Sequence, residues 1–302
     1  MNKPIYLVRT AALWLLALGL MSVVVLVMTS SASAAEEPIE SVTLSPSSNK
    51  YLLDAGSVKN DELIVLNDGN VAYDFIVYAR PYSVKGQTYD PNFTETPTNA
   101  DAYRWVQFEK TSWRIEPRET LKIPFTLRVP ADATPGGHYG VIFVETQPKA
   151  GENEAVVRKK RVGSIIYATV NGTYVTGGQQ LMTDIPFLQF RAPLTATTTV
   201  ENTGNADFDA RVRYKVTDLF GGLKYEANAP YVVLPKTIRK IPLEWQQAPW
   251  FGLFQVSVTT EYLDQSSEHR QLVLIAPRWV LLVVVGLLLG GGVYVALRRI
   301  RR

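Results

Sequence analysis

The chain has 302 residues, with 31 basic and 28 acidic side chains, 18 prolines and no cysteine. The missing cysteine excludes disulfides, zinc–thiolate centres and iron–sulfur clusters. The net charge of +3 is not spread along the chain: Lys3, Arg9, Arg278, Arg298, Arg299, Arg301 and Arg302 flank two apolar segments, which leaves 24 basic against 28 acidic residues, a balance of −4. Nucleic-acid binding needs a basic face, and this mildly acidic body offers none.

The first apolar segment, Ala11–Met28, follows Lys3 and Arg9 and precedes the small-residue run Ala32-Ser33-Ala34. This is the pattern of a signal peptide over residues 1–34, cleaved after Ala34. An uncleaved anchor is the alternative, because the run exceeds the usual h-region of ~7–15 residues. The body that follows reads as all-β. Leu121–Val129, Val212–Val216 and Phe254–Val258 alternate apolar and polar residues, as half-buried strands do. Tyr73–Tyr78 and Tyr139–Val144 are β-rich and apolar enough to be buried on both faces. Turn signals separate these runs, and no long amphipathic helix is visible between them.

An internal repeat sets the domain count. Asn67-Asp-Gly-Asn70, Pro117-Arg-Glu-Thr-Leu-Lys-Ile-Pro124 and Gly140-Val-Ile recur in order as Asn202-Thr-Gly-Asn205, Pro235-Lys-Thr-Ile-Arg-Lys-Ile-Pro242 and Gly252-Leu-Phe. We read a hairpin turn, a proline-led corner entering an edge strand, and a glycine where the chain turns into the next strand. The expected architecture is two tandem immunoglobulin-like β-sandwiches, residues 35–175 and 176–276, followed by a single transmembrane helix. The boundary falls in the turn-rich stretch 172–178. The first domain carries an insertion between Tyr82 and Tyr103 that the second lacks.

The second apolar segment, Trp279–Leu297, is long enough to span a hydrocarbon core of ~30 Å. The basic tail 298–302 against the single Arg278 orients the C-terminus to the cytoplasm. The strand Gln271–Ile275 is separated from this segment by Ala276-Pro-Arg278 alone, so the second domain should sit close to the bilayer. The short tail leads us to expect no signalling domain on the cytoplasmic side, which disfavours a receptor that transmits by itself.

The first domain resembles the N-terminal domain of WxL-interacting proteins, surface proteins of Gram-positive-type envelopes. The resemblance lies in the tryptophan strand Trp105-Val-Gln-Phe108, in Val129-Pro-Ala-Asp-Ala-Thr-Pro-Gly-Gly-His-Tyr-Gly140, and in Arg161-Val-Gly-Ser-Ile-Ile-Tyr167. It covers roughly residues 40–172. It implies peptidoglycan binding through the first domain and protein contacts through the second.

Candidate sites follow from residue chemistry. In the insertion, Tyr89 and Phe93, with Tyr103 and Trp105 just beyond, could stack on sugar rings beside Asn, Gln and Asp; the plainer reading is a long loop pinned by its aromatics, with Trp105 and Trp113 in the core. Arg158, Lys159, Lys160 and Arg161 could touch anionic polymers or headgroups, or simply be a solvated strand start that discourages edge pairing. Gly286 and Gly290 could pack the membrane helix against another. Asn92-Phe-Thr94 and Asn171-Gly-Thr173 fit a glycosylation pattern that is usually chance in a bacterial-type protein. His138 and His269 are the only histidines; neither has metal-ligand spacing, and His138 reads as a surface turn residue. We expect no cofactor, metal or catalytic residue. The resulting expectation is a non-enzymatic, membrane-anchored adaptor of the bacterial cell envelope that contacts peptidoglycan or wall glycan and a surface protein. Open alternatives are a chaperone-like or structural scaffold for secreted surface proteins, and a wall hydrolase or its accessory domain.

Overall fold

A computed structural model describes residues 37, 39–147 and 159–300. The expected leader, Arg158 and the end of the basic tail, Arg301-Arg302, lie outside the described residues.

The chain is mostly β. The N-terminal sheet pair combines two sheets. One has the order β1 (Thr43–Ser45), β3 (Val58–Leu66), β9 (Thr120–Arg128), β7 (Val106–Gln107). The other has the order β2 (Ser48–Leu53), β11 (Arg161–Val170), β10 (Gly136–Gln147), β4 (Tyr73–Pro81), β8 (Ser112–Ile115), with β2 parallel to β11. Period-2 alternation is what packs them together. In β9 the side chains of Ile123, Phe125 and Leu127 turn inward, while Pro124, Thr126 and Arg128 turn outward. They meet Phe75, Ile142 and Ile166 of the facing sheet in one core. Burial of each such side chain contributes roughly 1.5–3 kcal/mol.

The C-terminal sheet pair repeats the scheme. One sheet is β12 (Gly178–Asp184), β14 (Leu194–Asn202), β17 (Ile238–Trp245). The other is β13 (Leu188–Gln189), β19 (Gln265–Ile275), β18 (Gly252–Tyr262), β15 (Phe208–Asp218), β16 (Leu223–Val233). A second core forms around Leu194, Val212, Tyr214, Ile241, Val256 and Val273. Helix α1 (Arg278–Ile300) follows β19 almost directly and is long and apolar enough to cross a membrane.

The repeat has a structural meaning that differs from the hairpin expected of it. Asn67 and Asn202 stand where the chain crosses from one sheet of a pair to the other, β3 to β4 and β14 to β15. Each is fully buried and makes the same three bonds. Asn67 Nδ2 donates to the carbonyls of Val71 (2.9 Å) and Glu116 (3.0 Å), and its Oδ1 accepts from Gly69 N at 3.0 Å. Asn202 Nδ2 donates to Ala206 and Val233, both at 2.8 Å, and its Oδ1 accepts from Gly204 N at 2.8 Å. The amide thereby ties the sheet-crossing turn to the proline-led corner. Arg118 and Lys236, the second residues of the two corners, both take positive φ (61° and 56°).

Three further expectations need correcting. Gly140 does not turn the chain; it lies inside β10, where a Cβ would come within 2.7 Å of Tyr103 N. Only Val106 and Gln107 of the tryptophan run form a strand, because Ala102–Trp105 closes as a 3-10 turn packed on β10. In β4 one face is buried and the other only half-covered, whereas Tyr139–Val144 of β10 is buried on both faces as expected.

Candidate functional site

The insertion decides how the two sheet pairs meet. Residues 83–102 fold into a small hairpin, β5 (Ser83–Lys85) with β6 (Asp90–Asn92), followed by the turn that carries Asp101. This unit lies against the C-terminal pair. Tyr89 Oη bonds to Thr237 Oγ1 and accepts from Leu234 N at 2.8 Å. Its ring lies 4.4 Å beneath the Arg239 guanidinium, a cation–π contact. Burial raises the Tyr89 pKa despite the hydrogen bonds and the positive charge of Arg239. Gln87 accepts a backbone bond from Lys240 N at 2.8 Å, so the insertion occupies part of the outer edge of β17.

Aromatic packing continues the joint inside the first pair. Phe93 meets Phe143 edge-on with ring centroids 4.9 Å apart, and Tyr82 and Tyr139 both meet Tyr167 edge-on at 6.1 and 5.9 Å. Such pairs contribute ≈ 0.5–1.5 kcal/mol each beyond burial. Leu234 of the second pair packs into this cluster. The Tyr139 hydroxyl donates to Asp207 Oδ1 at 2.9 Å. Burial pushes both groups up in pKa: the tyrosine far above its usual range with the Asp207 charge adding to the effect, and the aspartate more modestly because Tyr139 and Lys50 oppose it. Gly137 N donates to Asn205 O at 2.8 Å, and a Cβ on Gly136 (φ 123°) would approach that oxygen to 2.6 Å. Glycine is needed there for both conformation and space. An exposed ion pair, Lys50 to Asp209 at 2.6 Å, closes the rim.

This joint frames an open cleft of about 1020 Å³. Its walls carry hydroxyls and amides, among them Thr94, Thr98, Asn99 and Asn205, with the Lys236 ammonium beside them. Glu95 is the one carboxylate on the wall, and Lys85 neutralises it at 2.6 Å. Among the described residues no three His, Asp or Glu side chains cluster as a metal site.

The structure places His138 inside the protein rather than at a surface turn. It is buried in β10, its ring 4.8 Å from that of Trp105. Nδ1 bonds to Asp101 Oδ1 at 2.7 Å and Nε2 to Thr134 O at 2.8 Å. Both partners are acceptors, so the ring satisfies both only when it carries two protons. Burial alone would lower its pKa, but the Asp101 and Thr134 bonds and the Asp101 charge together raise it. Through these two bonds the ring fastens the insertion to the strand beneath.

The four aromatic candidates do not form a common platform. Trp105 is buried in the first core, Tyr89 spans the joint, Phe93 packs on Phe143, and Tyr103 sits under the Arg104 guanidinium at 5.5 Å. The pinning reading of the insertion describes these contacts, and Trp105 has no face free for a sugar. Of the basic run, Lys159 pairs with Glu145 at 3.4 Å, Lys160 Nζ donates to Glu40 O, and Arg161 lies 4.6 Å from the Phe143 ring. A Cβ at Gly286 or Gly290 would meet nothing within 4 Å. The joint itself was not legible as a site, because its members Tyr139, Asp207, Leu234 and Arg239 are scattered along the chain.

No family model matches this chain, and no curated protein does. Among solved structures it is similar to the class 5 fimbriae chaperone CfaA, with 10% identity, 77% of this chain and 99% of that one covered, and a TM-score of 0.39. It is also similar to the E. coli chaperone DraB (12% identity, 78% and 98% covered, TM-score 0.39). A third likeness is to a structure of a Salmonella enterica SafA pilin in complex with the SafB chaperone (14% identity, 78% and 97% covered, TM-score 0.39).

Proposed function

We propose that this chain is a membrane-anchored, non-enzymatic binding protein of the cell envelope that holds a secreted or surface protein partner. One observation carries the reading: a long open sheet edge leads into a rigidly framed cleft. β16 is the outermost strand of its sheet, has 11 residues, and among the described residues pairs on one side only, with β15. Its last residue is followed by Leu234, which lines the cleft. An open edge offers a row of backbone donors and acceptors to an added strand. Pro230 within β16 interrupts that row and is of the kind found in edge strands. A cleft walled by hydroxyls and amides suits a polypeptide's backbone.

Such a protein would act as a scaffold or chaperone, with α1 crossing the membrane and the sheet pairs outside. Wall glycan has less support as a ligand, since Trp105 is buried and Tyr89 is taken up by the joint, which leaves only Phe93 and Tyr103 together on one groove beside Arg161. The test places a photo-crosslinking amino acid at Thr98, Asn228 or, as a control on another sheet, Asp61, in cells that make the chain. The expected result is the same single polypeptide adduct from Thr98 and Asn228 and none from Asp61. Absence of any polypeptide adduct from Thr98 and Asn228, or co-sedimentation of the chain with isolated walls alone, would overturn the reading.

A further inference from the structure

The end of the C-terminal sheet pair beside α1 differs from every other part of the body. β14, β17 and β19, together with β15, β16 and β18, bring four connections to this end: the segments flanking β13, the turn 219–222, the loop 246–251, and residues 276–277 before the helix. These connections read Ile-Pro-Phe and Phe-Arg-Ala-Pro, Leu-Phe-Gly-Gly, Gln-Gln-Ala-Pro-Trp-Phe, and Ala-Pro. None contains an acidic residue, in a body that holds 28 of them. The nearest carboxylates, Asp184, Asp218 and Glu244, stand at or next to the strand ends; that of Asp218 is occupied, accepting from Phe220 N at 2.9 Å and Gly222 N at 2.8 Å within the turn and pairing with Lys224 at 3.0 Å.

These tips are strongly apolar and bare. Phe220 is 99% exposed, Trp250 65%, Trp279 60% and Phe187 59%. Phe190, Leu219 and Phe251 are exposed as well. One exposed ring is ordinary on a protein surface, but this many gathered at one end of a sheet pair mark an interaction face. Trp250 stacks on Trp279, the second residue of the helix, with ring centroids 6.3 Å apart and planes 19° from parallel. The aromatic tips are thus continuous with the root of an apolar 23-residue helix. Arg278 lies over the Phe190 ring at 5.0 Å, and with Arg191 it flanks a groove of about 1050 Å³ between β13 and α1.

We infer that this end of the C-terminal sheet pair is seated in the lipid headgroup layer, with Phe187, Phe190, Phe220, Trp250 and Phe251 inserted and Arg191 and Arg278 on phospholipid phosphates. The inference rests on the reading that α1 crosses the membrane, and goes beyond it by assigning the body itself a lipid-binding face. Aromatic rings prefer the interfacial layer, where one edge is apolar and the other wet. Guanidinium groups pair with phosphate through fixed, forked donors. Contacts spread over four connections would hold the sheet pair upright on the bilayer, so that the junction cleft stands at a set height.

The absence of cysteine allows single-site labelling. The full chain is placed in nanodiscs of phosphatidylcholine and phosphatidylglycerol, with an environment-sensitive dye on F220C, on S266C at the opposite end of the same sheet pair, or on L288C within α1. A lipid nitroxide just below the headgroups serves as quencher. Expected is a blue-shifted dye at 220 that the nitroxide quenches several-fold, an unquenched dye at 266, and a quenched dye at 288. Quenching at 288 but not at 220 would overturn the seating while leaving the helix in the membrane. No quenching at 288 would remove the membrane reading itself, and the seating with it. A dye at 220 that is blue-shifted yet indifferent to lipid nitroxide would mean that another copy of the chain covers the tip, which also overturns the proposal. F187C repeats the measurement on a second connection.

Discussion

Asn202→Ala tests whether the two buried amides hold the sheet pairs closed. The substitution removes two donated bonds and one accepted bond, and strands the carbonyls of Ala206 and Val233 and the N–H of Gly204. All three groups sit around a side chain with no exposure to water. A buried polar group left unpaired costs ≈ 1–3 kcal/mol, and some of the three will recover a water in the space that the side chain leaves. We therefore expect a loss of about 3–5 kcal/mol, a large share of the ~5–15 kcal/mol that holds a typical domain. Asn67→Ala should cost the same in the N-terminal pair, because its three bonds match one for one. The assay is urea unfolding of the full chain in detergent micelles, followed by tryptophan emission and far-ultraviolet circular dichroism. Asn228→Ala, on the exposed face of β16, is the control and should change stability by less than ~0.5 kcal/mol. A loss below about 1 kcal/mol for Asn202→Ala would refute the reasoning, since the amide would then be replaceable by solvent.

Other outcomes follow from the same contacts. Gly140→Ala drives a methyl group to 2.7 Å from Tyr103 N, and unfolding should shift by at least ~2 kcal/mol as the 3-10 turn is pushed off β10. Tyr89→Phe keeps the ring under Arg239 but strands Leu234 N; we expect a loss of about 1–2 kcal/mol and faster proteolysis between the sheet pairs, with unchanged proteolysis counting against the joint. The His138 pKa is raised by folding, so its contribution is complete below the ordinary value of 6.5 and is lost as pH rises through the higher folded value. The stability gap between wild type and H138Q should accordingly be widest at mildly acidic pH and shrink toward alkaline pH. A gap that is constant with pH would mean that the ring is neutral throughout.

Local pattern made much of this fold legible. Alternation over Leu121–Val129 announces β9, and the paired N-x-G-N and proline-corner motifs announce two copies of one plan, because buried amides and corner prolines must recur wherever the same sheet crossing recurs. The apolar run after Arg278 announces the helix by length alone. The site was less legible, because its parts are chemically ordinary one at a time. Tyr89 and Phe93 read either as sugar-stacking rings or as the pins of a long loop, since exposure cannot be inferred from a polar loop; the C-terminal pair covers one and Phe143 packs on the other. His138 read as a turn residue because Pro135-Gly-Gly137 precedes it, and only Asp101, 37 residues earlier, makes it a buried, hydrogen-bonded ring.

What the sequence alone determined, then, is periodic: strand faces, the duplicated motif, the charge-free apolar ends and the missing thiols. These depend on residues close together in the chain. Only the tertiary structure decided which rings are bare and which are spent, because burial depends on what arrives from far along the chain. That is why Phe220 and Tyr89, equally aromatic and equally placed between turn residues, end as an exposed tip and as the pin of a joint.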